Sequence, residues 1–318
     1  MMTGGPIRNP QSAIRNVLAG VAVLALGPSL VWAQQASVGE DLYAWVRGIE
    51  GRSPEGRRAW VREQLERMGI PYERMAFDTV RVRGERADTI RGENIIVRLG
   101  SGPRRVVMGA HLDAVPGAPG ANDNGGGVAV LLGMARDLRA HAWHVTVELC
   151  FFDQEERGLV GARVYVARDT TRARHLAMIN FDVVGTGEEI LAGPAEGRDD
   201  AFVLPHVRAA AQELGYPYAE HALYPGSDHG AFAAAGLENI SISVLPRGDT
   251  QRLIGMLEGF QSGRLTAPPD TASPDYPVVL KVMHTPADSS ALVTPGALAM
   301  AFALGRAALL RIDASQRP

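Results

Sequence analysis

His111 and Asp113, Glu155 and Glu156, and Asp182 each stand just beyond a short apolar run, and all are side chains that ligate a divalent cation or move a proton. The runs are Val106–Ala110, Val145–Phe152 and Ala177–Phe181, and their composition predicts buried strands. Asp123 joins them in Ala121-Asn-Asp-Asn-Gly-Gly-Gly127, a glycine-rich turn that opens a helix pattern. Singly these are ordinary features: a helix N-cap for Asp123, a polar strand face for His111 and Asp113, solvated charge for the glutamates, a turn opener for Asp182. Together they are four separate placements at the carboxyl edge of one sheet, where open α/β folds collect ligands, and a shared divalent cation is the economical reading.

Adjacent strand residues face opposite ways, so Glu155 and Glu156 share a site only in a turn, which Asp153 and Gln154 leave room to begin. One carboxylate can then ligate while its neighbour takes a proton from metal-bound water. His284, in Met283-His-Thr-Pro286, offers a nitrogen donor from a loop far downstream. His141, His144, His175, His206 and His221 fall in helical or connecting contexts that suit surface or packing roles.

The elements that must carry these residues alternate. Helical spacing marks Asp41–Ile49, Glu55–Met68, Gly127–Leu138, Gly161–Ala167, Ala201–Leu214 and Ala297–Leu310, while Glu93–Arg98, Arg105–Ala110 and Ile240–Leu245 add strands. Such alternation predicts an α/β sandwich with a mixed, largely parallel central sheet flanked by helices. With no internal repeat, one domain is expected over residues 36–314, divided into a helical and β lead-in (36–90) and a catalytic core (91–314). Arg247–Val282, with Pro268, Pro269, Pro274 and Pro277, is the weakest stretch, and its second half is expected as a surface excursion over the site.

Composition narrows the function further. With 46% hydrophobic residues the 318-residue chain can bury a sizeable core, and a net charge of -3 supplies no basic stripe for nucleic acid. Arg8 and Arg15 precede an apolar run ending in Val31-Trp32-Ala33, the pattern of a secretory signal over residues 1–33 cleaved after Ala33. The run is short for a membrane anchor, which needs ~20 apolar residues, and no later segment could span a bilayer. Loss of the two arginines takes the charge from -3 to -5, and the protein is expected to be exported, to a periplasm or the medium. The single cysteine, Cys150, reads as a buried apolar residue rather than a nucleophile.

In order and together, His111-Leu-Asp113, Gly120-Ala-Asn-Asp-Asn-Gly-Gly-Gly127, Asp153-Gln-Glu-Glu-Arg-Gly-Leu-Val-Gly161, Asn180-Phe-Asp182, Ser227-Asp-His229 with Phe232, and His284-Thr-Pro-Ala-Asp288 resemble the co-catalytic zinc aminopeptidases, whose relatives include glutaminyl cyclases, carboxypeptidases and the transferrin receptor ectodomain. The resemblance runs from Glu93 to the C-terminal helix. It implies two Zn²⁺ ions bridged by Asp123, with His111 and Asp182 on one ion, Glu156 and His284 on the other, and Glu155 as general base. Asp113 would orient His111, and Asp288 would act similarly near His284. The substrate implied is a peptide with a free N-terminus. Some secreted bacterial members carry Tyr and Arg where this chain has Met283 and Gly226, so substrate clamping must differ, with Tyr224, His229 and Phe232 as candidates to compensate.

Two alternatives use the same scaffold: a glutaminyl cyclase-like acyltransferase, and a non-catalytic interaction protein, which would be expected to have lost ligands. Ser227-Asp228-His229 holds the residue types of a serine hydrolase, but adjacent residues rarely converge on one atom and no Gly-x-Ser-x-Gly elbow occurs. The oligomeric state is left open by the sequence.

Overall fold

A computed structural model describes residue 1 and residues 28–83, 86–194 and 201–317. The leader expected over residues 1–33 lies for the most part outside the described residues, and positions 28–33 form the first turns of α1 (Pro28–Ile49). Leu42, Val46 and Ile49 of α1 point inward, at the spacing of one helix face. α2 (Pro54–Arg67) starts at Ser53, whose hydroxyl accepts the Gly56 N–H at 3.1 Å, with Pro54 in the first helical position. No helix among the described residues is long and apolar enough to cross a membrane.

β1 (Glu73–Arg83) and β2 (Arg86–Leu99) form a long antiparallel hairpin, of which the expected Glu93–Arg98 is the inner part. β1 is an edge strand rich in alternating charge, so it lacks the apolar run that marks the inner strands. There follow β3 (Arg105–His111), α3 (Gly126–Leu138), β4 (Thr146–Phe152), α4 (Val160–Arg168), β5 (His175–Phe181), β6 (Glu189–Gly193), α5 (Val203–Leu214), β7 (Tyr218–Glu220), α6 (His229–Ala234), β8 (Asn239–Leu245), α7 (Asp249–Gln261), α8 (Val278–Val282) and α9 (Pro295–Ser315).

The strands make one mixed eight-stranded sheet in the order β1-β2-β4-β3-β5-β8-β6-β7. Its centre, β4-β3-β5-β8, is parallel, and the pairings β1–β2, β2–β4 and β6–β8 are antiparallel. β3, β4, β5 and β8 are buried at every position because helices cover both faces. α1, α3, α5 and α9 pack one face around Leu132, Phe151, Phe181 and Leu304; α4 and α6 pack the other around Phe152, Tyr165 and Phe232. Cys150 lies in that second cluster, and burial pushes its thiol well above its ordinary value, which fits a packing role.

The stretch 247–282 is largely exposed over 261–276, as expected of its second half, and helical at both ends. It opens with a helix, α7, and its later part returns as α8, so that Leu253 packs with Val279 and partly buried Leu280 and Met283. Asp249 joins the two: its carboxylate is fully buried and accepts the N–H groups of Val278 and Val279 at 2.9 and 2.7 Å. Gly255 and Gly259 interrupt the helix pattern, and the prolines that follow disguise the return. At the far end of the sheet, Asp313 of α9 accepts from His144 and Val145 N–H and contacts the rings of His141 and His144, which gives those histidines a packing role.

Candidate metal centre

β4, β3 and β5 lie side by side and parallel, so their carboxyl ends share one edge. His111 is the last residue of β3, Asp182 follows the last residue of β5, and Glu155 and Glu156 stand in the turn after β4. Asp123 reaches the edge from the loop before α3, and His284 from the segment after α8. Asn124, not Asp123, bonds the first turn of α3: its Oδ1 accepts the Gly127 N–H at 2.9 Å while its Nδ2 donates to Phe181 O at 2.7 Å. The Asp123 carboxylate is thereby free to face the centre.

The expected residues meet. His111 Nε2 stands 3.1 Å from Asp123 Oδ1 and 3.4 Å from Asp182 Oδ1. His284 Nε2 stands 3.0 Å from Asp123 Oδ2 and 3.2 Å from Glu156 Oε2. Each oxygen of Asp123 thus faces a different imidazole. Donor atoms of His111, Asp123 and Glu156 all lie within 4.8 Å of one another. Glu156 Oε1 and Asp182 Oδ1 are buried without a hydrogen-bond partner, so the donor set has lone pairs left for a cation, and its imidazole–carboxylate composition fits zinc.

In the metal-free chain the charges pull hard on one another. Burial would lower the His111 imidazole, but Asp182, Asp113 and Asp123 hold it well above its ordinary value. Bonds to Asp123 and Glu156 raise His284 to about 10. Asp123 resists the upward push of burial and is held far below the carboxylate range by His111 and His284. Burial pushes Glu155 up to about 9 against the pull of His111, with Asp228, Asp182 and Glu156 adding to the rise. A bound cation reverses the sign of these repulsions.

Two supporting carboxylates brace the loops of the centre. Asp113 faces His111 Nδ1 at 3.6 Å, and it also accepts the N–H groups of Glu155 and Glu156, at 3.0 and 3.2 Å, so it shapes the turn that presents both glutamates. Asp288 accepts from the N–H groups of Asn122 and Asp123, at 2.8 and 3.1 Å, and fixes the Asp123 loop rather than His284. Of the candidates to compensate for Met283 and Gly226, Tyr224 lines the cavity with its hydroxyl 2.5 Å from Ser243 Oγ, whereas Phe232 packs against Tyr165 and Phe152. His229 packs edge-on to Tyr224, and burial lowers its imidazole to about 4.

The backbone is strained here. Among the described residues, the non-glycine residues with left-handed φ are Gln154 (62°), Leu159 (59°), Val183 (56°) and His284 (63°), all in or beside the site. The centre opens into a cavity of about 460 Å³ with an apolar wall that includes Leu159, Val183, Leu245, Leu253, Val279 and Met283. None of the described residues lining it is Lys or Arg. Sequence reasoning missed this wall, and it missed Arg57, a buried cation behind the centre whose helix pattern read as ordinary amphipathic surface.

The profile of Peptidase family M28 matches residues 94–308. The chain is 34% identical over 143 residues to Aminopeptidase YwaD of Bacillus subtilis (strain 168), covering 43% of this chain and 31% of that protein. It is 40% identical over 123 residues to an aminopeptidase of Pseudomonas aeruginosa (strain UCBPP-PA14), covering 36% of this chain and 22% of that protein. The chain thus spans about a quarter to a third of the length of the curated relatives it matches. Among solved structures, BSAP, a zinc aminopeptidase from Bacillus subtilis, superposes with a TM-score of 0.56 at 26% identity over 71% of this chain and 52% of that one. An Acidobacteriales bacterium glutaminyl cyclase shares the fold, with a TM-score of 0.64 at 20% identity over 87% of this chain and 95% of that one.

Proposed function

Because the chain belongs to peptidase family M28, we propose that it is an exported two-zinc aminopeptidase that removes N-terminal residues from peptides with a free N-terminus. The observation that carries the reading is Asp123, whose two oxygens each meet a different imidazole. In this assignment His111 and Asp182 would hold one ion and Glu156 and His284 the other, with Asp123 shared between them. Two such ions supply polarisation of the scissile carbonyl and acidification of the attacking water.

The remaining chemistry falls to this chain's side chains. Glu155 accepts the proton of the attacking water and returns it to the leaving amine, a role that needs it next to the ligands without being one. Asp113, bonded to the backbone of both glutamates, keeps that division. The acidic floor, with no Lys or Arg among the described lining residues, suits a substrate ammonium and not a C-terminal carboxylate, which favours an aminopeptidase over a carboxypeptidase. The apolar wall suits an apolar N-terminal side chain and excludes water. The basic, apolar and small-residue order of positions 1–33 supports export, and residues 36–314 are read as one peptidase domain.

A panel of aminoacyl chromogenic substrates, run against N-acetylated controls and a peptide with N-terminal Gln, tests the reading. Hydrolysis of free-amine substrates, abolished by chelation and restored by Zn²⁺ or Co²⁺, is expected. Cyclisation of the Gln peptide without hydrolysis would favour the acyltransferase, and full activity in metal-free protein would exclude the zinc reading. Glu155→Gln should keep its zinc while kcat falls by ~10²–10⁴. Glu156→Gln should instead lose zinc. The reverse pattern would exchange the two roles.

A further inference from the structure

We propose that α2 is a built-in clamp of the metal centre, with Arg57 and Arg58 as positioning residues that hold its two ligand-bearing loops. The proposal rests on the reading of those loops as zinc-binding and extends beyond it, since α2 lies outside the matched residues 94–308. Arg57 is 1% exposed. Its Nε donates to Leu112 O, Nη1 to Pro119 O at 3.2 Å and Nη2 to Gly120 O at 3.1 Å. All three carbonyls belong to the segment that connects His111 to Asp123, so one planar fork ties both ends of that segment to one helix.

The charge of Arg57 acts on the same centre. Its hydrogen bonds go to carbonyls, and the carboxylates of Asp113, Asp123, Asp288 and Glu156 act on it through space. Burial lowers the guanidinium to about 10, with those carboxylates pulling upward, so it stays cationic at neutral pH. The loop is shaped to receive it. Gly120 has φ 67°, and a Cβ there would come within 3.0 Å of Arg57 Nη1 and 2.5 Å of the Ala114 Cβ.

Arg58 points about 100° further round the helix and reaches the other loop. Its Nη1 meets Asp153 Oδ2 at 2.6 Å. The same Asp153 accepts the N–H of Glu93 at 2.9 Å and of Gln154 at 3.0 Å, where the chain takes its left-handed step into Glu155 and Glu156. Trp60, Val61 and Leu65 already seat α2 on the core, so the two arginines are not needed to dock the helix. Their polar contacts go where the ligands are.

The test is a zinc titration against a chromophoric chelator on the full chain, with melting in excess chelator measured in parallel. The variants are Arg57→Lys, Arg57→Met and Arg58→Gln, with Arg67→Met as control, because Arg67 pairs with Glu63 at the exposed end of α2. Zinc affinity should fall ~10–100-fold in Arg57→Lys and in Arg58→Gln, as for other residues that orient metal ligands, and by more than the accompanying loss of metal-free stability accounts for. Failure of Lys to rescue marks the fork geometry, which charge alone does not supply. Folded variants that bind zinc within about two-fold of wild type would overturn the clamp. So would a loss of affinity that merely tracks loss of metal-free stability. If neither Arg57 variant folds, Arg58→Gln decides by the same criteria. A wild type that binds no zinc refutes the zinc reading itself and the clamp with it, an outcome distinct from equal binding.

Discussion

Replacing Asp113 with Asn probes the turn that separates ligand from base. The Asp113 carboxylate accepts one N–H from Glu155 at 3.0 Å and one from Glu156 at 3.2 Å, one on each oxygen. An amide of the same size has one oxygen, so its NH₂ must face an N–H donor or rotate away. The loss is one hydrogen bond to a charged group, about 1.5–3 kcal/mol. At 1.4 kcal/mol per decade this is roughly 10–150-fold. Because the same carboxylate holds both glutamates and lies 3.6 Å from His111 Nδ1, zinc affinity and kcat at saturating zinc should fall together. Metal content by mass spectrometry, steady-state kinetics with added zinc and a melting curve read the three quantities separately. A folded Asp113→Asn variant with wild-type zinc affinity and kcat would refute the argument, and so would a kcat fully restored by excess zinc, since Asp113 would then serve the metal alone.

Stability of the metal-free protein should fall as pH rises. Glu155 moves from 4.5 to about 9 and His284 from 6.5 to about 10, so the folded chain binds protons more tightly than the unfolded chain at both sites. The Glu155 contribution is lost between these values, the His284 contribution from neutral pH upward, and zinc-loaded protein should lack both declines. Melting in chelator from about pH 5 to about pH 10 reads this, and a midpoint that climbs with pH would contradict it. In the apolar wall, Leu253→Ala should lower kcat/KM for a leucyl substrate roughly ten-fold more than for an alanyl one. Equal effects on the two substrates would remove Leu253 from the substrate-binding wall.

How far the site was legible in advance follows from which interactions leave a mark in sequence. His111, Asp182 and the glutamate pair were visible because apolar strand runs end on them, and buried parallel strands are the plainest signal a chain carries. Asp123 was legible from its glycine turn before a helix and His284 as a loop nitrogen donor, but their shares in the site came from the motif set, since no periodicity connects β3 to a loop more than 170 residues later. β1 was legible only as an unbounded β part of the lead-in because an edge strand needs no apolar run, and α7 was hidden because glycines break its stripe. The backbone bonds of Asp113 and Asp288 went unread for a different reason: a backbone partner leaves no trace in residue type. Arg57 is the extreme case, since all three of its bonds go to carbonyls.

The strained residues show why the metal and the fold are one problem. Gln154, Val183 and His284 sit beside or at the positions that present Glu155, Asp182 and the downstream imidazole, and each left-handed non-glycine residue costs ~1–3 kcal/mol. Val183 is β-branched, which makes its φ of 56° the least tolerable of these. Together they amount to a sizeable part of the ~5–15 kcal/mol that holds a domain folded. Buried acids crowd the same centre: Asp228, Asp182 and Glu156 push Glu155 up, Asp113, Asp182 and Glu156 push Asp228 up, and the imidazoles of His111 and His284 with the Arg57 guanidinium offset part of that repulsion. A folded chain that carries this load gains stability from any cation that binds the native donor set and not the unfolded one. Zinc should therefore act as a structural ligand as well as a reagent, and the loops with left-handed residues should be the segments it holds most tightly.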